Sequence, residues 1–542
     1  MINGVTRVPN PRNEAPIGHA PGSPERKELD AAIKELKKKK FDFTMTIAGE
    51  KKMGSGKEIK VVEPHDHNSV LGVVKDATKE DAKEAVKAAK EAAPAWAAMP
   101  FDERAAVLLR AADLLCTKYR AKVNAATMLG QSKTIQQSEI DAIAELADFW
   151  RFNVAFAQQI MEQQPLNPDG QWNRLDYRPL DGFVYAISPF NFTAIGGNLP
   201  TAPALMGNTV IWKPSITQQL SAHITMEILE EAGLPDGVIN MLPGTGIEVS
   251  EVVIPDPDLA GVHFTGSTKT FQMLWKEIGG NIDRYKSYPR IVGETGGKDF
   301  ILAHPTADVD VLKTAIIRGA FEYQGQKCSA ASRAYIAKSV WKELKDELAK
   351  EVDGLDVGSP LDYKNFMSAV IDDRAFEKIS GAIDRAKKNK DVEIIAGGKY
   401  DDSEGYFIRP TILECKNPDE EFFRDEYFGP VIAVYVYDDE DFEEMFSIID
   451  GASAYGLTGA VLAKDRDVIE KATEALRFTA GNFYINDRPT GSVVGQQPFG
   501  GSRASGTNDK AGSMANLMRW TSPRAIKETL AAPTDHRYPH MD

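Results

Sequence analysis

The sequence predicts an α/β protein built on parallel sheets. From about residue 183 short apolar runs alternate with segments of helical period, and a second series of the same kind follows Gly296. Length agrees with this. The chain has 542 residues, enough for roughly two to four domains, and size sets no limit on the core.

The elements follow in chain order. Ser23-Pro24-Glu25 reads as an N-cap, a proline at the first helical position and an acid in the first turn. The lysine run 37–40 closes that helix as a solvated end favoured by the dipole rather than as a phosphate patch. Thr78, with Asp81 three residues on, caps a second helix. Asp102 opens a third, with Leu108, Ala112 and Leu115 on one face and Cys116 beside it as core filler. The N-terminal part therefore reads as helical. In the first alternating series 183–187, 209–212, 238–242 and 261–264 read as strands, with helices over 217–232 and 270–278 between them. No charge falls between Gly182 and Trp212, but Pro189, Pro200, Pro203 and three asparagines interrupt that stretch, which excludes a membrane span. The second series places strands at 300–303, 334–337, 457–463 and 482–485, and helices at 309–323, 341–351 and 468–476.

The charge balance narrows function. Lys and Arg number 64 against 79 Asp and Glu, a net charge of −15. That disfavours a nucleic-acid or anionic-membrane partner. Three widely spaced cysteines exclude a disulfide framework, fit a reducing compartment and give no zinc-type spacing, so no metal is expected. Residues 1–26 hold no apolar h-region. The expected location is cytoplasmic, with the mitochondrial matrix as the alternative for a chain that has lost a transit peptide.

Several short segments hold residues suited to chemistry. No Gly-x-Gly-x-x-Gly fingerprint is present. Gly266-Ser267-Thr268-Lys269-Thr270 instead joins a strand to a helix, where amides and hydroxyls suit phosphate, although by itself the segment fits a plain capped helix start better. Cys328 lies in Gly325-Gln326-Lys327-Cys328-Ser329-Ala330. Nearby positive charge would favour its thiolate, and nucleophilic and structural readings both stand. Cys415 reads as an incidental turn residue, and His223 and His263 as core histidines. Glu294, before a Gly-Gly turn, is either a general base or a turn cap. Asn191, between two phenylalanines, is either an oxyanion donor or a turn residue.

Taken together, Asn191, Lys213-Pro214-Ser215, Phe264-Thr265-Gly266-Ser267, Glu294-x-Gly-Gly-Lys298, Gly325-Gln-Lys-Cys328, Glu426-x-Phe428-Gly-Pro430 and Asn482-Phe-Tyr-Ile-Asn486 resemble, in content and order, the aldehyde dehydrogenase superfamily. The resemblance implies a Rossmann-like NAD-binding domain (1–165 and 182–292), an α/β catalytic domain (293–514), and a small β oligomerisation flap with tail (166–181 and 515–542). It implies Cys328 as nucleophile, Glu294 as the base that activates water, and Asn191 as oxyanion donor. NAD would be held by Ser188, Lys213, Gly266, Ser267, Thr268, Lys269, Thr270, Glu426 and Phe428. Segments 187–199, 321–330 and 481–509 resemble the branch of the superfamily that oxidises L-glutamate γ-semialdehyde to L-glutamate, the second step of proline breakdown. That implies Ser329, Gly491 and Ser492 on the substrate carboxylate, Phe192 and Phe499 beside its carbon chain, and Glu145 toward its amine. Another carboxylated semialdehyde is the competing substrate, and a catalytically silent NAD-binding protein the competing class. The resemblance further implies a homodimer or higher homo-oligomer and leaves channelling from a proline dehydrogenase open. Two positions depart from the wider pattern: Phe271, where many members have glycine, and Ile216, where many have an acid.

Overall fold

The computed structural model describes residues 4–541. Two seven-stranded sheets organise the described residues. In the first, Arg290–Glu294, Leu259–Thr265, Phe183–Ile187, Thr209–Lys213 and Ile239–Met241 lie parallel in that order. Their strands read as near-continuous apolar runs because both faces are covered. The uncharged stretch enters the middle of this sheet, and the helix Thr193–Leu205 that follows is buried on almost every side despite Pro200 and Pro203. Among the described residues no helix is long and apolar enough to cross a membrane.

The second sheet runs Val392–Ala396, Thr411–Cys415, Val431–Tyr437, Ala331–Ala337, Asp299–Ala303, Thr458–Leu462, Asn482–Ile485. All its pairings are parallel except that of the edge strand Val392–Ala396. Three of these strands, between residues 392 and 437, are absent from the sequence-based expectation. Cys415 is accordingly the last residue of a buried strand, 2% exposed, and not a turn residue.

The N-terminal region departs from the all-helical expectation. The helix Pro24–Lys38 forms as expected, with Ser23 Oγ accepting from Arg26 N, and Thr78 and Asp81 form a reciprocal capping box. Between these helices lie five strands. Phe41–Phe43, Asp66–Lys75 and Glu58–Glu63 form a three-stranded sheet, while Met45–Ile47 and Glu50–Lys52 extend the first large sheet by antiparallel pairing. Glu58–Glu63 alternates polar and apolar residues with Val61 buried, a period-2 pattern that outweighs the lysine content of the region. Far along the chain Gln171–Pro179 pairs antiparallel with Thr521–Thr529 over its whole length, forming an exposed two-stranded ribbon.

Several of the motif residues lie at the ends of these strands. Glu294 ends its strand and bridges to Gly506. Cys328 lies between a short 3-10 turn, Glu322–Gly325, and the strand Ala331–Ala337. That turn is strained: Tyr323 and Gln324 hold left-handed backbone with φ of 50° and 57°. A buried ion pair braces it. Lys133 Nζ lies 2.6 Å from Asp141 Oδ2, both side chains 1% exposed, and sits over the rings of Phe192 and Tyr323 at 4.0 and 4.4 Å. Asp141 also accepts from Thr193 N and Ala194 N, which fixes the start of the helix after Asn191. It belongs to a π-helical segment, Glu139–Glu145.

Removing one partner of such a pair leaves a buried charge uncompensated. Asp141→Ala is expected to lower unfolding free energy by about 3–5 kcal/mol, read from the denaturant midpoint.

Candidate active site

Cys328 stands where two cavities meet, and both are lined by it. The larger measures about 1010 Å³ and carries Ser188, Asn191, Lys213, Gly266, Ser267, Thr270, Glu426 and Phe428 on its wall. The smaller measures about 120 Å³ and carries Glu145, Phe192, Glu294, Ser329, Gly491, Ser492 and Phe499. The structure therefore divides the residues singled out from the sequence between two spaces that share one thiol. Thr268 and Lys269 are the exceptions. Neither lines the larger cavity, and Thr268 Oγ1 is instead 3.2 Å from Tyr455 Oη.

The larger cavity has a polar rim suited to a phosphate-bearing ligand. The 13-residue helix Thr268–Gly280 starts at its edge, with Ser267 Oγ accepting from Thr270 N. Lys213 is buried, which pulls its pKa to about 8 against the opposing charge of Asp76, and its ammonium donates to Gly244 O at 3.3 Å. Gly246 holds φ of 80°, and a Cβ there would lie 2.3 Å from Lys213 Cδ, so the lysine needs glycine beneath it. Ser188 Oγ accepts from Trp212 Nε1. Phe271 stacks on Phe264 with centroids 5.4 Å apart and occupies the space over Gly293, where a Cβ would meet its ring at 2.2 Å.

Across the cavity Glu426 Oε1 accepts from Gly297 N at 2.8 Å, and burial raises its pKa. Phe428 holds a left-handed φ of 60° and meets Phe190 edge-on at 5.8 Å. Strain of this size in a bulky residue is found at built sites. Asn191, 4% exposed, donates one amide N–H to Gln326 O at 3.0 Å. An amide nitrogen carries two hydrogens, so a second donor remains for the cavity.

The thiol is not prepared as an anion. Burial, followed by Asp299, Glu294 and Glu426, pushes its pKa well above the usual thiol value, with the Ser329 backbone N–H acting the other way. This corrects the expectation that local positive charge favours the thiolate. Lys327 turns aside to Glu322, 3.2 Å away, and so does not serve the sulfur. Cys116 and Cys415 are pushed to about 12 by burial, as inert core cysteines are. His223 and His263 are held by backbone carbonyls, as the sequence suggests for core histidines.

Glu294 is raised well above the usual carboxylate range by burial. Gly501 N, donating to its Oε2 at 2.9 Å, and the Lys510 charge act against that shift. On the far side of the smaller cavity Ser329 Oγ is 2.8 Å from Thr490 Oγ1. Glu145 is driven to about 8 by burial and then by Asp141. Sequence reasoning gave no binding or catalytic role to six charged residues on this wall: Asp141, Glu322, Lys327, Arg488, Asp509 and Lys510. Lys327 lies inside the Gly325–Cys328 motif and Arg488 inside the 481–509 segment, but a surface lysine or arginine in a loop has the same appearance in sequence.

Residues 51–526 match the description of the aldehyde dehydrogenase family. The chain belongs to the aldehyde dehydrogenase family. Among its relatives is the mitochondrial delta-1-pyrroline-5-carboxylate dehydrogenase of Dictyostelium discoideum, 50% identical over 98% of this chain and 96% of that protein. The crystal structure of the delta-pyrroline-5-carboxylate dehydrogenase from Mycobacterium tuberculosis bound with NAD matches at 60% identity and a TM-score of 0.97, each chain covered completely. Proline utilization A from Bdellovibrio bacteriovorus matches at 30% identity and a TM-score of 0.88, over 94% of this chain and 53% of the other. The aldehyde dehydrogenase fold accounts for the two sheets and for the thiol shared by the two cavities.

A thiol held high by burial and carboxyl groups stays protonated near neutrality. Alkylation of Cys328 by iodoacetamide in the free enzyme is expected to keep accelerating through pH 9 with no plateau below it. A plateau below pH 8, in rates followed by peptide mass, would show a preformed thiolate.

Proposed function

We propose that the protein oxidises L-glutamate γ-semialdehyde, the open form of Δ1-pyrroline-5-carboxylate, to L-glutamate with NAD, the second step of proline catabolism. One observation carries this reading: Cys328 is shared by a dinucleotide-sized cavity and a small one whose wall holds Ser329, Gly491 and Ser492 for a carboxylate. The names of the similar proteins from Dictyostelium and Mycobacterium support the substrate, and the NAD bound in the latter supports the cofactor.

The wall of the larger cavity fits NAD. The buried Lys213 ammonium has a single long contact, to Gly244 O, and the helix start at Ser267 and Thr270 opens beside it. Lys213 and Glu426 would hold ribose hydroxyls, Ser188 and Phe428 would lie at the nicotinamide end, and Gly266, Ser267 and Thr270 would meet phosphate. Bound there, NAD supplies the hydride acceptor.

The chain's own residues do the rest. Cys328 Sγ loses its proton to solvent and bonds to the aldehyde carbon as the carbonyl π pair moves onto oxygen, forming the anion of a hemithioacetal. The free N–H of the Asn191 amide, with the Cys328 backbone N–H, meets the developing oxyanion without adding net charge. Loss of hydride from that carbon leaves a thioester on Cys328. Glu294, at the smaller cavity, takes a proton from water as the water oxygen adds to the acyl carbon. The carbon–sulfur bond then breaks, releasing glutamate and the thiolate. A carboxylate raised by burial is a stronger base than a free one, which suits that proton transfer. Ser329, Gly491 and Ser492 would bind the substrate carboxylate, Phe192 and Phe499 would flank its methylenes, and Glu145 would meet its ammonium. That pairing would lower the Glu145 pKa and so hold the carboxyl ionised.

In this reading residues 1–165 and 182–292 bind NAD, 293–514 carry the nucleophile, and 166–181 with 515–542 form an oligomerisation flap. The exposed ribbon, with Trp172 49% exposed, supports a homo-oligomer. The similarity to proline utilization A supports a link to proline oxidation and hence handover from a proline dehydrogenase. Mitochondrial relatives favour the matrix over the cytoplasm.

Purified protein given Δ1-pyrroline-5-carboxylate and NAD should form NADH at 340 nm (a standard wavelength), and Cys328→Ser should lose at least about a thousandfold. Failure on this substrate with rapid turnover of succinate semialdehyde would overturn the substrate.

A further inference from the structure

The carboxyl of Glu294 is held by one loop, and one lysine holds that loop. Gly501 N donates to Glu294 Oε2 at 2.9 Å. The carbonyl of the preceding residue, Gly500, accepts from Lys510 Nζ at 3.1 Å, and the same ammonium donates to Gly481 O at 2.7 Å and Asn482 Oδ1 at 3.4 Å. Asn482 completes the clamp: its Oδ1 accepts from Gly500 N at 3.2 Å and its Nδ2 donates to Pro498 O at 3.0 Å. Ala511, next to Lys510, exchanges two backbone hydrogen bonds with Phe499, at 3.1 and 2.7 Å. Lys510 itself holds a left-handed φ of 52°, a conformation that persists only where its surroundings enforce it.

We propose that Lys510 is a positioning residue for Glu294, holding the 498–501 turn so that its amide aims the carboxyl. The proposal rests on the reading of Glu294 as the base for thioester hydrolysis. The titratable and charged groups that share the cavity with the carboxyl are Lys510 and Asp509 from the 508–511 segment, Cys328 and Lys327 from the nucleophile loop with Glu322 before it, His263 from the neighbouring strand, Asp141 and Glu145 from the π-helical segment, and Arg488 from the late loop. Asp509 pushes the carboxyl up and is 3.4 Å from Arg519. Burial holds His263 near 4, so it is neutral at working pH. The charge of Lys510 pulls the carboxyl down, against its burial. Loss of that charge therefore moves the base titration to higher pH.

The test compares Lys510→Met, Lys510→Arg and Glu294→Gln by stopped-flow NADH formation with Δ1-pyrroline-5-carboxylate, together with the pH profile of kcat. Acyl formation precedes the base step, so Lys510→Met is expected to keep the NADH burst while its steady rate falls by about tenfold or more, short of the roughly 10²–10⁴-fold a general base itself supplies. The limb of its profile should move to higher pH, and Lys510→Arg should recover most of the rate. Circular dichroism checks folding, and Lys510→Gln is read in place of a Met variant that does not fold. Unchanged steady rate and profile in Lys510→Met, with Glu294→Gln impaired, would overturn the proposal alone. So would equal loss of burst and steady rate, which marks a merely structural role. Full steady turnover in Glu294→Gln would overturn the base assignment and the proposal with it.

Discussion

A thiol that must become an anion is buried here beside three carboxyl groups, and much of the surrounding structure answers that constraint. In a low-dielectric setting a negative sulfur next to Asp299, Glu294 and Glu426 is strongly disfavoured. The protein leaves the thiol protonated at rest and arranges neutral dipoles around it. In the proposed reaction the Asn191 amide meets negative charge where it develops, while at rest the Ser329 backbone N–H only partly offsets the burial that raises the thiol. Cations stand further back. Lys213 lies across the larger cavity, and Lys327 is paired with Glu322. The net charge of −15 is a property of the surface and does not describe this cleft.

Holding these groups in place requires backbone that would not be stable by itself. Tyr323, Gln324, Phe428 and Lys510 all hold left-handed φ, and all four lie on or beside the loops that carry Cys328, Glu426 and the contact to Glu294. Such strain persists because the surroundings over-determine it. The Lys133–Asp141 pair serves the Asn191 and Cys328 loops together, through two aromatic rings and a helix N-terminus. Gln324 adds to this by donating to Ser132 O and Ala369 O. Rigid support of this kind suits a mechanism in which reacting atoms must be placed within fractions of an ångström.

Much of this was legible in the sequence, for identifiable reasons. Strands such as Phe183–Ile187 are apolar on both faces, and the motif residues at Asn191, Glu294 and Cys328 lie at strand ends and tight turns that glycine marks. What was not legible depends on pairing between distant segments. The strands 58–63 and 66–75 hide among polar and half-buried residues, and Met45–Ile47, though buried throughout, is only three residues long. Thr411–Cys415 was lost to the Lys-Asn-Pro that follows it. The role of Lys510 depends on a turn ten residues away, and the raised thiol depends on carboxyls 29, 34 and 98 positions distant along the sequence. No local pattern encodes either.

The most direct test of the central claim, that Cys328 carries the acyl group and Glu294 releases it, is intact-protein mass spectrometry. Glu294→Gln would be mixed with NAD and Δ1-pyrroline-5-carboxylate, quenched in acid and weighed. The account predicts a stable adduct with the mass of the glutamate acyl group, mapped to Cys328 and absent when Cys328→Ser is added. An unmodified chain that still forms NADH at the unaltered rate, or an adduct on another residue, would contradict it.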